Sequence, residues 1–252
     1  MKSDLGGLHY VDAYKATDSI KSFDVARQYY AGPGMMSFEV KPQVNKKILE
    51  CIDGQISNRP KTSANEIRCA NMEERDTITG LMDVVDYEYQ RDEYNNIIQD
   101  TILELALVYM KTCFPGVVDS SQQLQVDSSW YVYMNAGDYH TPHQHSDSQI
   151  SGAIYLDINT NEINQENYPD GCIRWFIPNV GFDKGPGENG VCSDIFQAYY
   201  IPRSGTSWAW PARVLHLTCP FRGNTVRKMI SFNCSVKDEH GGGMTHVRNP
   251  AR

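Results

Sequence analysis

The stretch Trp130-Tyr-Val-Tyr-Met-Asn-Ala-Gly-Asp138-Tyr-His140-Thr-Pro-His143-Gln-His145-Ser-Asp147 marks where the chain changes its period. Before it, the apolar residues recur every three or four positions. Tyr94, Ile97, Ile98, Thr101, Leu105, Val108 and Tyr109 form a stripe that predicts a helix over 92–111, ended by Pro115-Gly116. From residue 130 onward the period is two. Runs at 130–134, 150–156, 171–177, 195–201, 206–210, 214–219 and 227–233 read as strands parted by Pro, Gly and Asn turns. Strands in series without intervening helices predict a mainly β domain, an antiparallel sandwich or barrel.

The remainder is less patterned. Ile48, Leu49, Ile52 and Ile56 predict a short helix over 45–56, and residues 1–45 have room for short strands and a hairpin. Residues 58–74 read as loop, as do 159–170 and the glycine-rich 178–190. The stretch 237–252, with His240 and His246, reads as a tail. These divisions give an N-terminal supporting region over 1–112, a β-rich core over 113–236 and a tail over 237–252, within one domain.

Composition narrows the function. A net charge of -8 without a long basic run disfavours nucleic acid and anionic membranes as partners. No segment reads as a secretory signal, and the apolar run at 102–110 is too short to span a bilayer. The seven cysteines form no CxxC pair and suit a reducing, cytoplasmic setting. The 110 N-terminal residues leave room for an oligomer surface.

Three of the seven histidines fall at 140, 143 and 145. His143 and His145 are two apart, so in an extended segment both side chains leave from one face. A divalent metal is the natural shared partner, with Asp147 as a nearby carboxylate. His216, within Val214–Cys219, is the one histidine left in the strand-rich region. It is a candidate distal ligand or, on the bland reading, a packed core histidine. Imidazole and carboxylate donors without thiolates favour iron(II), manganese or nickel over structural zinc. Arg227 opens the last strand, and an arginine on a pocket floor grips a carboxylate with two prongs. A surface arginine is the plain alternative. Ser231, four residues on, shares its face.

Residues 130–139, then His143-Gln-His145, Ser151-Gly-Ala-Ile-Tyr155-Leu156, Gly171-Cys-Ile-Arg-Trp175, Gly205–Pro211, His216–Pro220 and Arg227 through Asn233 together resemble a bacterial and phage group of iron(II)/2-oxoglutarate-dependent oxygenases. The resemblance covers about residues 127–236. It implies a double-stranded β-helix, or jelly roll, with Fe(II), 2-oxoglutarate and O2 as cofactor and co-substrates. It also implies a dioxygenase that hydroxylates a small molecule or a protein side chain. It places His143 and His216 as iron ligands and Arg227 on the far carboxylate of 2-oxoglutarate, aided by Ser231 or Tyr155, with Asn233 as a further cofactor-binding residue. The superfamily's usual His-x-Asp is replaced here by His-x-His, so His145 stands as third ligand, with Asp147 as the alternative. Tyr131, Tyr133, Tyr139, Trp175 and Trp210 are candidate pocket aromatics. Two other readings are a cupin-like metal enzyme that does not use 2-oxoglutarate, and a non-enzymatic β-roll binding protein.

Overall fold

The structure is a computed structural model that describes residues 2–3, 9–15, 20–29, 34–58, 66–68, 76–78, 93–134, 137–146, 148–159, 171–183, 190–220 and 226–237. Asp147, His240 and His246 lie outside the described residues. In chain order the elements are β1 (Lys2–Ser3), β2 (His9–Lys15), β3 (Phe23–Tyr29), β4 (Met35–Val40), α1 (Pro42–Asn58), β5 (Glu66–Arg68), β6 (Asp76–Ile78) and α2 (Glu93–Cys113). A turn of 3-10 helix at Ser121–Gln123 leads into β7 (Leu124–Met134), β8 (His140–His143), β9 (Ile150–Asp157), β10 (Ile173–Asp183) and β11 (Gly190–Tyr200). Three more strands follow: β12 (Thr206–Pro211), β13 (Leu215–Thr218) and β14 (Arg227–Val236).

From β7 onward the chain passes back and forth between two sheets, with the β10–β11 pair staying in the smaller one. One sheet of eight has the order β1-β2-β3-β4-β12-β9-β14-β7, and a sheet of four has the order β11-β10-β13-β8. The pairings within both are antiparallel. Chain that winds back and forth between two facing antiparallel sheets is a jelly roll. The N-terminal strands lengthen the larger sheet, because β4 pairs with β12.

Each face of the larger sheet has its own core. On the outer face Ile48 and Ile52 of α1 and Ile98, Ile102, Leu105, Ala106 and Tyr109 of α2 cover Phe38, Ile154, Ile230 and Phe232. Burying a side chain the size of Leu105 is worth about 1.5–3 kcal/mol, which is why the helical stripe is so legible in the sequence. On the inner face Met35, Val132, Tyr155, Trp175, Trp208, Trp210 and Met229 fill the space between the sheets. β9 has both faces covered, and all of it but Asp157 is buried. Gly152 lies within β9, where a Cβ would come 2.1 Å from the Phe232 ring and 2.5 Å from the Trp208 carbonyl oxygen. No side chain fits there.

Three readings of the sequence need correction. Residues 178–183 are not loop: β10 runs on to Asp183, pairing Pro178 with Ile195 and Asp183 with Gly190. Within 58–74, Glu66–Arg68 is a short strand paired with Asp76–Ile78. The histidine stretch contains a strand of its own, β8, whose four residues are too few to show a period.

Candidate metal centre

β13 pairs with both β10 and β8, setting His216 opposite Trp175 on one side and His143 on the other. Opposed residues in an antiparallel pair lie about 4.5–5.5 Å apart at Cα, so strand pairing alone brings these two imidazoles together. Their ring centroids are 4.3 Å apart. His145, just past the end of β8, is held by its backbone N–H, which donates to the Ala212 carbonyl at 2.9 Å. Its ring lies 5.2 Å from that of His143 and 5.4 Å from that of His216. One ligand atom from each of the three histidines falls within 4.8 Å of the others, a spacing that could hold a metal ion.

The orientation of each ring is fixed by a second contact. Nδ1 of His143 is 2.7 Å from the Thr141 carbonyl oxygen, and Nδ1 of His216 is 2.9 Å from that of Val214. A carbonyl only accepts, so in both rings Nδ1 carries the proton and Nε2 offers its lone pair. His145 is braced differently. Its Nδ1 lies 3.3 Å from the side-chain amide of Asn233, which also contacts the Ser128 hydroxyl at 3.2 Å and accepts from Ser151 at 2.6 Å.

Burial lowers the pKa of His216 to about 3 and that of His145 to about 4, with His143 adding to both shifts. His140 is also lowered to about 4, by burial and by repulsion from His143, Arg227 and His145. Neutral imidazoles are the form that ligates.

The rings border a cavity of about 240 Å³, walled also by Trp130, Ile173, Trp210, Thr218, Met229 and Ser231. Met229 and Ser231 share one face of β14 with Arg227, which is 3% exposed. One Arg227 Nη donates to the Gly171 carbonyl, while its Nε and other Nη have no partner. Its guanidinium carbon lies 5.2 Å from the Tyr155 ring centroid. The Tyr155 hydroxyl is buried as well, with the Arg227 guanidinium as its polar neighbour. Burial raises its pKa, with Arg227 opposing the rise. A buried, incompletely paired cation beside a buried hydroxyl is costly by itself and suited to an incoming carboxylate. The donor set thus fits a metal ion, and the guanidinium, which with Tyr155 is not among the cavity walls but acts electrostatically on His140 of those walls, fits an acid group.

The remaining expected residues are dispersed. Ser231 borders the cavity, whereas Asn233 contacts His145 instead of lining it. Of the candidate aromatics, Trp210 reaches the cavity and Trp175 is core, 5.0 Å from Trp208. Tyr139 is half-buried and absent from the walls, and the side chains of Tyr131 and Tyr133 lie outside the described residues. Asp138 is buried at 1% exposure next to Gly137, whose φ of 87° makes the turn. Among the wall residues with no role in the sequence reading are His140 and Trp130. Trp130 was findable, since it alternates with Val132 and Met134 on one face of β7.

Residues 128–233 match the family model described as "Putative 2OG-Fe(II) oxygenase". No curated protein sequence matches the chain. Among solved structures it is similar to a Pseudomonas putida prolyl-4-hydroxylase, at 14% identity over 75% of this chain and 85% of that one, with a TM-score of 0.43. It is similar also to a Trichoplax adhaerens prolyl hydroxylase in complex with a hypoxia inducible factor peptide fragment, at 10% identity, 80% and 83% coverage, and a TM-score of 0.49. A third is the non-heme alpha ketoglutarate dependent epimerase SnoN from nogalamycin biosynthesis, at 13% identity, 81% and 77% coverage, and a TM-score of 0.48. Residues 128–233 thus match the 2OG-Fe(II) oxygenases, a family that uses iron(II), 2-oxoglutarate and O2, and this match supports an oxygenase.

Proposed function

We propose that this oxygenase is a hydroxylase in which His143, His145 and His216 hold the iron and Arg227 holds the far carboxylate of 2-oxoglutarate, aided by Tyr155 and Ser231. The observation that carries the reading is the buried Arg227, with two unpartnered guanidinium nitrogens, on the strand that also borders the imidazole cluster. Iron(II) and 2-oxoglutarate, when bound, supply O2 activation coupled to oxidative decarboxylation of the keto acid to succinate.

The chain's own groups do the rest. His143 and His216 present lone pairs fixed by carbonyls of their own strand and loop. Asn233 steadies His145. Arg227 orients the keto acid through charge-assisted hydrogen bonds. Trp130, Ile173, Trp210 and Met229 keep bulk water from the reacting face. Among the described lining residues there is no Asp or Glu. Three neutral imidazoles therefore leave the metal's charge to be balanced by the keto acid, which ties co-substrate binding to metal binding.

Residues 1–112 serve as support for the 113–236 core, with α1 and α2 backing the larger sheet. The substrate class is a small molecule or a protein side chain, and the acidic charge of the chain disfavours nucleic acid. Cys51, Cys113, Cys172, Cys219 and Cys234, none of them disulfide-bonded, suit a cytoplasmic setting. No helix among the described residues is long and apolar enough to cross a membrane.

The test is anaerobic titration with iron(II) and then 2-oxoglutarate, followed by the weak visible charge-transfer band of the chelate. The parent protein gives both steps, and His216→Ala gives neither while keeping its thermal unfolding transition. Iron binding without a band at any keto-acid concentration would favour a cupin-like metal enzyme instead.

A further inference from the structure

Cys172, one residue before β10, and Cys219, one residue after β13, face each other across the small sheet. The Cys219 N–H donates to the Cys172 carbonyl at 2.8 Å, continuing the register of Ile173 opposite Thr218. Their sulfurs are 3.4 Å apart, and neither is disulfide-bonded. Opposed residues of an antiparallel pair have Cα separations of about 4.5–5.5 Å, inside the window of about 4.4–6.8 Å that a disulfide spans. Side-chain rotation alone can close the gap.

The surroundings give the two sulfurs different roles. Cys172 is wholly buried, and the contact with Cys219 and its burial both raise its pKa, with Arg174 opposing. Cys219 is half-buried and within reach of solvent. The guanidinium of Arg227 interacts electrostatically with both sulfurs, and cationic neighbours favour thiolate. The same short segment anchors the keto-acid subsite. Gly171 offers its carbonyl to Arg227 and donates its N–H to the Pro220 carbonyl at 3.0 Å, so residues 171–172 and 219–220 form one clasp beneath the guanidinium.

We infer that Cys172 and Cys219 are an oxidisable dithiol that closes to a disulfide and, in closing, shifts the clasp that positions Arg227. The oxidant is a small-molecule disulfide. The Cys219 thiolate attacks one of its sulfurs, breaking that S–S bond and releasing one thiolate. Cys172 then attacks the Cys219 sulfur, its proton passing to the second thiolate as that leaves. The protein loses two hydrogens and the small disulfide becomes two thiols. The effect on Arg227 rests on the proposed function; the closure itself does not.

The full-length protein is equilibrated in glutathione buffers of rising oxidised fraction, alkylated, digested and weighed. The expected result is a peptide pair joined through residues 172 and 219, two hydrogens lighter than the reduced pair and released by dithiothreitol. Cys172→Ala should stop at a mixed disulfide on Cys219, and the near-isosteric Cys219→Ser should prevent any reaction at residue 172. A mixed disulfide that persists in the parent, or equal cross-linking among other cysteines, would overturn the closure. In anaerobic, Mn(II)-loaded protein the cross-linked form should bind 2-oxoglutarate roughly threefold or more weakly than the reduced form, as expected for a distorted hydrogen bond to a charged group. An unchanged constant would overturn the link to Arg227. Reduced protein that binds no keto acid would overturn the proposed function and leave the thiol result standing.

Discussion

His216 stands directly opposite His143 across the β13–β8 pair, ring against ring at 4.3 Å between centroids. The two are far apart in the chain, yet strand pairing fixes their separation before any ligand arrives. Loops carry none of this geometry except at His145, and there a backbone hydrogen bond to Ala212 and the Asn233 amide take over. A site preset in this way needs little rearrangement to bind, so losses on mutation should appear in affinity more than in folding.

Arg227 is the clearest case of function held against stability. Its buried charge is incompletely paired, and replacing such a group by an apolar residue of similar size is often neutral or stabilising. Arg227→Met should leave urea unfolding of the ligand-free protein within about 1 kcal/mol of the parent. The 2-oxoglutarate dissociation constant should rise about tenfold or more, the worth of a charge-assisted hydrogen bond. Loss of several kcal/mol in the free protein would mean that Arg227 is a structural residue.

Asn233 should matter through His145. For His145 to offer Nε2, its Nδ1 must carry the proton and find an acceptor, and the amide oxygen of Asn233 becomes that acceptor if the amide turns about its own axis. Asn233→Ala removes the acceptor and should weaken Co(II) or Fe(II) binding by about tenfold or more. Asn233→Asp supplies a carboxylate in the same place and should retain most of the affinity. Metal titration that finds equal affinity in the parent and the Ala variant would exclude a bracing role.

Acid should unfold the metal-free protein in a defined window. Three histidines have folded pKa values lowered to about 4, 4 and 3, below an unfolded value near 6.5. Between these limits the unfolded chain binds more protons than the folded one, so stability rises with pH there and falls as pH drops from about 6.5 toward 4. Denaturation midpoints in chelator at several pH values across that range would check this. The slope should shrink in the His216→Ala variant.

Gly152→Ala should be among the most damaging single changes. The added methyl would meet both the Phe232 ring and the Trp208 carbonyl inside a fully covered strand. A cost of about 3 kcal/mol or more is expected, read as a lowered unfolding midpoint or as insoluble protein. At Gly116 an added Cβ would meet nothing within 4 Å, and the φ of 86° leaves only the milder strain of a left-handed residue. Gly116→Ala should therefore shift the midpoint far less.

What the sequence determined by itself was local. The helical stripe of α2, the alternating runs of the core strands and the His-x-His pair are all set by side-chain period, which depends on near neighbours alone. So the mainly β class and the candidate ligands could be named from residues, and the resemblance supplied the jelly roll. Tertiary structure decided the rest. Only strand pairing showed that His216 faces His143, that Arg227 lies buried with idle donors and that Asn233 braces His145. It also showed that Cys172 touches Cys219. These are cross-strand relationships between distant residues, and register between strands is settled by the packing of whole faces, which no short window of sequence contains.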